Sequence, residues 1–159
     1  MRKIISVTLA ILMALSSLML SSCETKESGK SETFSIKISC ETVLENKDKL
    51  PEEKRELVPE NGIFYENDHL EFSQGQTLYQ VLKTLMQKEK IHIDFNTSNS
   101  FGSVYVRGIG NIYELDCGNL SGWFMKINGE FPNEDCGSYK VKQGDIVEFL
   151  YTCNMGEDL

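Results

Sequence analysis

The chain is 159 residues long and carries 16 basic against 24 acidic side chains, a formal net charge of −8. That balance excludes partners held by phosphate charge, nucleic acid above all, and it excludes charge-driven adhesion to an anionic bilayer. A chain of this size builds one hydrophobic core, since domains of about 100–150 residues are the commonest class.

At the N-terminus, Arg2 and Lys3 precede an almost wholly apolar run from Ile4 to Leu20, and Leu20-Ser21-Ser22-Cys23 closes it with small residues before a thiol. The run is 17 residues long, just short of the ~18–20 that span a bilayer. The segment resembles a bacterial lipoprotein signal peptide with its lipobox. The resemblance implies cleavage before Cys23, which becomes an N-terminus bearing diacylglycerol, a two-chain anchor that holds the protein outside the cytoplasm. The alternatives are an ordinary signal peptide and an uncleaved helix. Residues 1–22 are thus expected to be the signal peptide, and 23–33 the lipidated Cys23 with a polar, flexible tether. The remainder, 34–159, is the domain, which includes a charged insertion at 45–61. Without residues 1–22 the chain holds 14 basic and 24 acidic groups, a formal charge of −10.

Within the domain, Phe34 to Val43 alternates apolar and polar residues and predicts a half-buried strand. The segment 45–61 reads as solvated, with Pro51 suited to the start of a short helical turn. A second strand is expected to end near Phe72. Thr77 to Lys88 predicts a helix: Thr77 and Gln80 have capping-box spacing, and Leu78, Val81, Leu82, Leu85 and Met86 form one stripe. Short strands follow at Ile91–Phe95 and Ser103–Arg107, and Gly108, Gly110 and Asn111 mark a turn. Trp123 to Ile127 alternates into Asn128-Gly129, a strong two-residue hairpin signal, with a return strand starting at Glu130-Phe131. Tyr139–Val141 reads as another strand piece and Ile146–Thr152 as the last strand. One helix among short strands predicts an α+β fold, a mixed sheet with the helix on one face and C-terminal β-hairpins.

Four cysteines besides Cys23 remain in a segment read as exported, and an even set there suggests disulfides. Of the three pairings possible, Cys117–Cys136 is favoured because it brackets the expected hairpin, and Cys40–Cys153 because it would tie the first strand to the last. The thiols lack the paired spacing of a structural zinc site.

The strings D-C-G-N-L-S-G-W-F-M-K-I-N-G at 116–129, F-P-N at 131–133, Q-G-D-I-V-E-F-L-Y-T at 143–152 and N-M-G-E-D at 154–158, with G-Q-T-L-Y-Q-V-L at 75–82, resemble the transcobalamin-type C-terminal β-domain. That domain also occurs alone in bacterial surface proteins as a domain of unknown function. The resemblance spans roughly 34–158. It implies a β-grasp-like, non-enzymatic, soluble-ligand-binding domain. In animal cobalamin carriers such a domain closes over a corrin ring held mainly by a helical barrel, and this chain has no room for that barrel. The family hairpin maps onto Ser121, Gly122, Trp123 and Phe124, with Asn128 and Gly129 as its turn.

Trp123, the single tryptophan, can cover a planar ligand or fill the core. Phe101, Tyr105 and Leu120 are candidate neighbours in a ligand wall, as are Tyr113 and Tyr139, and each also reads as packing. His69 and His92 are the only imidazoles and read as surface residues, so no metal site is expected. No G-x-S-x-G, H-E-x-x-H or P-loop occurs, and no catalytic residue is assigned. The sequence reading is a lipid-anchored binding module with no required cofactor, whose ligand is a corrinoid or another small molecule, or which lids the site of a surface receptor or transporter. The alternative is an adhesion or interaction domain for a protein or surface polymer.

Overall fold

In the computed structural model, residues 31–97 and 103–159 are described; Cys23 and Phe101 lie outside them. Two sheets and one main helix make up the domain. The first sheet contains β1 (Glu32–Ser39), β2 (Ile63–Phe72), β6 (Gly122–Ile127) and β7 (Ile146–Thr152), in the order β2-β1-β7-β6. It is mixed, because β1 runs parallel to β7 while β1–β2 and β6–β7 are antiparallel. The second sheet is antiparallel, β3 (Ile93–Thr97), β4 (Val104–Ile109) and β5 (Ile112–Tyr113), with β4 central. A short helix α1 (Glu41–Leu44) follows β1, and the main helix α2 (Leu78–Glu89) follows β2. The α+β class is therefore as expected, with the strands divided between two sheets instead of one.

The first sheet alternates as a half-buried sheet should. Phe34, Ile36 and Ile38 of β1 and Val147 and Phe149 of β7 point into the main core. Helix α2 supplies the opposing layer with Leu78, Val81, Leu82, Leu85 and Met86, the stripe predicted from spacing. Burial of each such side chain contributes about 1.5–3 kcal/mol before chain entropy is counted. The start of α2 is fixed by a full capping box, in which the Gln80 N–H donates to Thr77 Oγ1 and the Thr77 N–H to Gln80 Oε1. Lys90, in the left-handed region at φ 58°, ends it.

Two expectations about local structure change. The first strand stops at Ser39, because Cys40 leads into α1. The charged insertion is not merely solvated. It forms 3₁₀ turns at Lys47–Lys49 and Glu52–Leu57, and Leu50 and Val58 are buried in a second core with Cys40, Val43, Ile112, Cys117, Tyr151 and Cys153. Lys54 Nζ reaches Asp116 at 2.6 Å and pins the insertion to the loop after β5.

The expected return strand after Asn128-Gly129 does not form. The two-residue turn is present, with φ 55° at Asn128 and 83° at Gly129, and Ile127 and Glu130 exchange backbone hydrogen bonds of 2.8 and 3.1 Å. Pairing ends there, because Pro132 has no N–H for a ladder and the chain departs. The ladder of β6 is instead completed by β7, with Trp123 opposite Tyr151 and Ile127 opposite Val147. Tyr139–Val141 contributes only one isolated bridge, Thr77 with Lys140.

The expected disulfide pairing is also corrected. Cys40, Cys117, Cys136 and Cys153 are all free, buried thiols. Cys117 and Cys136 belong to different cores, so the sequence bracket between them does not bring them together. Cys40 and Cys153 share the second core without being bonded.

Candidate functional site

A groove of about 300 Å³ opens between β4 and β6. Its walls are Val104, Tyr105 and Val106 on β4 and Trp123, Phe124 and Met125 on β6; Phe131 and Pro132 form a lip, and Phe149 also lines it. The segment Glu134-Asp135-Cys136 completes the lining. β6 is the last strand of its sheet, so the groove runs beside a sheet edge.

Sequence alternation sets the walls. On β4, Val104 and Val106 are buried while Tyr105 points outward and is 46 % exposed. Its hydroxyl accepts a hydrogen bond from Asn96 Nδ2 at 2.8 Å, which steadies the ring at the rim. On β6, Trp123 and Met125 pack against the main core, and Phe124 lies on the opposite face. Phe124 meets Phe131 edge to face at 5.7 Å, and Phe131 remains 50 % exposed. Lys126 Nζ lies 4.9 Å from the Phe131 ring centre, a cation–π contact that positions the lip.

Polar groups in the groove divide into one that is consumed and one that is free. Asp135 Oδ1 accepts the N–H groups of Val104 and Gly137 at 3.0 and 2.7 Å, and Ser138 donates its hydroxyl to Oδ2. Burial alone would raise the Asp135 pKa, but these hydrogen bonds outweigh it and hold the carboxyl below its usual range. Asp135 thus ties the 133–138 loop to β4. Glu134 is exposed at the rim.

The residues singled out from sequence separate into two sets. Tyr105, Trp123 and Phe124 come together in the groove. Leu120, Ser121 and Gly122 are not part of its lining. Trp123 is half-buried, and its indole N–H donates to the Ile112 carbonyl at 2.8 Å, so that donor is already used. Its ring packs edge to face on Tyr151 at 5.3 Å and tilts against Phe64 at 6.1 Å. Tryptophan here is chiefly a joint between the two cores.

Ser121 is structural as well. Its hydroxyl donates to the Gly118 carbonyl at 2.8 Å, accepts the Cys117 N–H at 3.0 Å and lies 3.0 Å from the Tyr151 hydroxyl. Gly122 is not required by crowding, since a Cβ there would meet only the Glu114 Cβ at 3.7 Å. Leu120 is 49 % exposed, and its carbonyl accepts the Met155 N–H at 2.7 Å. Tyr139 is buried and donates to Asp145 Oδ2 at 2.8 Å; Tyr113 contacts His92 through its hydroxyl at 2.8 Å. Both histidines are exposed, and no cluster of metal-ligating side chains occurs among the described residues.

Phe131, Pro132 and Met125 were not expected at the site. The F-P-N string was legible as a motif, but its role follows from the aborted hairpin, which no periodicity announces.

Residues 75–152 match the model of a domain of unknown function, DUF4430. Among solved structures, the chain is similar to haptocorrin in complex with Cbi, at 15 % identity and a TM-score of 0.51, over 77 % of this chain and 26 % of that one. The chain therefore spans about a quarter of haptocorrin's length. A protein from Ruminococcus gnavus ATCC 29149, described as a candidate metal-binding protein, aligns at 15 % identity over 76 % of this chain and 96 % of its own. Its TM-score of 0.46 is too low to carry an argument. No curated protein matches the chain. At these identities the likeness shows the fold alone, and that fold is transcobalamin-like.

Proposed function

We propose that this protein is a non-enzymatic binding module, anchored by lipid outside the cytoplasm, that grips an apolar edge of a small ligand in the groove between β4 and β6. The carrying observation is the pair of exposed rings, Tyr105 and Phe131, held over a largely apolar trough of about 300 Å³. Ligand sites are concave and apolar with few convergent polar groups, and about 300 Å³ is the lower end of their range. A corrin macrocycle exceeds that volume, so the groove takes part of one face or an edge, as a lid or half-site would. Corrinoids are the first ligands to test, on the strength of the fold and of the S-G-W, N-G and Q-G-D motifs. The non-enzymatic reading is supported by the thiols: desolvation pushes Cys40, Cys117 and Cys136 up to about 12, where they stay protonated and poorly nucleophilic.

The test is a titration of the purified protein with cobinamide and cobalamin, followed by the corrin absorption band. Saturable change is expected, weakened at least tenfold by Tyr105→Ala or Phe131→Ala, neither of which removes a core side chain. A flat titration up to millimolar corrinoid with folded protein refutes the corrinoid reading.

A second reading, docking of a protein or surface polymer, is favoured by three exposed apolar residues around the 115–121 loop. Leu115 and Met155 are each 60 % exposed and Leu120 is 49 % exposed. Leu115 and Met155 also hold left-handed backbone at φ 69° and 53°, a conformation bulky residues seldom adopt. Retained binding of a protein partner with a flat corrinoid titration would select this reading.

A further inference from the structure

Successive residues of a strand turn their N–H and C=O groups to opposite sides, so only every second residue of β6 faces its neighbour β7. The Asn128 N–H donates to the Ile146 carbonyl at 2.8 Å, toward β7, whereas Ile127 exchanges backbone bonds with Glu130 on the other side. Ile127, Met125, Trp123 and Ser121 therefore turn their backbone groups to the free edge. Both ends of that row are closed. The Ser121 carbonyl accepts the Leu115 N–H at 3.0 Å, and the Ile127 N–H donates to the Glu130 carbonyl at 2.8 Å. Between them, the N–H and C=O groups of Trp123 and Met125 have no hydrogen-bond partner among the described residues, although both residues are half-buried in the groove wall. The gap has a cause in the hairpin register. With Ile127 opposite Glu130, the residue opposite Met125 would be Pro132, which has no N–H to give the Met125 carbonyl. Across the groove, Val104 offers no replacement, since its N–H goes to Asp135 Oδ1 and its carbonyl accepts from Cys136 Sγ, each at 3.0 Å.

We propose that the β6 edge at Trp123 and Met125 receives an extended peptide segment of a partner, which adds as a further strand where the return strand fails to form. The inference rests on the groove being the binding site, and neither on a corrinoid ligand nor on the lipid anchor. The occupant follows from what the edge presents. Two N–H and two C=O groups alternate along an apolar trough, and a strand backbone satisfies all of them at once, which is how peptides add to open sheet edges. The trough on the core side of this edge, lined by Val104 and Val106, takes apolar side chains at every second position of the segment. At the lip, Glu130 and Glu134 are exposed and have no basic partner among the described residues. The segment accordingly carries a lysine or arginine next to its apolar positions, and the chain's formal charge of −8 steers such a segment in. β4 and the Phe131-Pro132 lip flank the edge, so a bare segment reaches it and the sheet edge of a second folded copy does not.

The probe is an acetylated and amidated peptide of about six residues, the usual length of a strand, alternating valine with threonine and ending in lysine. It is titrated into the purified protein while amide hydrogen exchange is read by nuclear magnetic resonance. The expected result is saturable binding in which the Trp123 and Met125 amides gain protection by about tenfold or more, while those of Phe124 and Lys126, already turned toward β7, stay unchanged. N-methylation of one alternating set of peptide amides weakens binding by about tenfold or more, and methylation of the other set leaves it within about twofold. Pro132→Val, which restores the N–H opposite Met125, lets the chain's own return strand compete and weakens peptide binding without lowering the melting temperature. No change in exchange up to millimolar peptide, equal protection of all four amides, or equal losses from both methylated sets overturns the proposal. So does a dimer in sedimentation whose Trp123 and Met125 amides are protected without peptide, which assigns the edge to a second copy. Alternating protection by the peptide beside a flat cobinamide titration upholds this inference and refutes only the corrinoid reading; a saturable cobinamide titration beside a flat peptide titration does the reverse.

Discussion

Replacement of Trp123 distinguishes a joint between two cores from an exposed ligand platform. The indole is half-buried, packs on Tyr151 at 5.3 Å and Phe64 at 6.1 Å, and satisfies the Ile112 carbonyl at 2.8 Å. Truncation of a fully buried tryptophan to alanine costs about 3–5 kcal/mol. Partial exposure of this ring roughly halves that, while the carbonyl left without its donor adds about 1 kcal/mol. The expected loss for Trp123→Ala is therefore about 2–4 kcal/mol. Trp123→Phe retains most of the ring contact and loses the donor, for a loss of about 1–2 kcal/mol. Urea unfolding followed by far-ultraviolet circular dichroism measures both, since the fluorescent reporter is the residue removed. If Trp123→Ala falls within about 0.5 kcal/mol of wild type, the ring does not join the cores, and the assignment of Trp123 to packing is wrong.

Gly110 and Gly129 separate backbone conformation from crowding. Both have positive φ, 58° and 83°, but a Cβ at Gly110 would lie 2.1 Å from Phe64 Cε1, while Gly129 has open space around it. Gly110→Ala should cost about 2–4 kcal/mol and Gly129→Ala about 1; equal midpoint shifts in urea would contradict the crowding argument. Acid should destabilise the fold through Asp135 and Asp158. For Asp158, as for Asp135, burial raises the pKa, but hydrogen bonds, here from the Thr152 hydroxyl and the Cys153 N–H, outweigh it and hold the carboxyl below the usual range. Their contribution is fully present above the unfolded carboxylate range near pH ~4 and is lost as the pH falls through the depressed folded values. Asp158→Asn should flatten that acid limb; an unchanged pH profile of the melting temperature would count against it.

What was legible in the sequence was local. Helix α2 was readable because its signals are contiguous: Thr77 and Gln80 cap it and the Leu78-to-Met86 stripe has a single period, so no distant contact had to be known. Ile146–Thr152 likewise announced itself, bounded by the Gln143-Gly144-Asp145 turn. The second core was not legible. Leu50 and Val58 are isolated among charges in the 45–61 segment, and they become core by packing with Val43, Ile112 and Tyr151, residues distant in the chain, while Lys54 meets Asp116, 62 positions away. The cysteine pairing failed for the same reason. Sequence bracketing measures separation along the chain, whereas the fold assigns Cys136 to the main core and Cys117 to the second.

The groove itself depends on a conflict between two local signals. Asn128-Gly129 begins a hairpin, and a completed return strand would pair with β6 along the edge that now borders the groove. Pro132 supplies no N–H at the third residue after the turn, so the return strand cannot extend, and the Phe131-Pro132 segment swings out to become a lip in contact with Phe124. Asp135 then fastens the departing chain to Val104 on the second sheet. The hairpin signal was thus correct about the turn and wrong about the strand. That local frustration leaves an open edge, two exposed rings and an apolar trough where a fully paired sheet would have left a flat surface with nothing to hold.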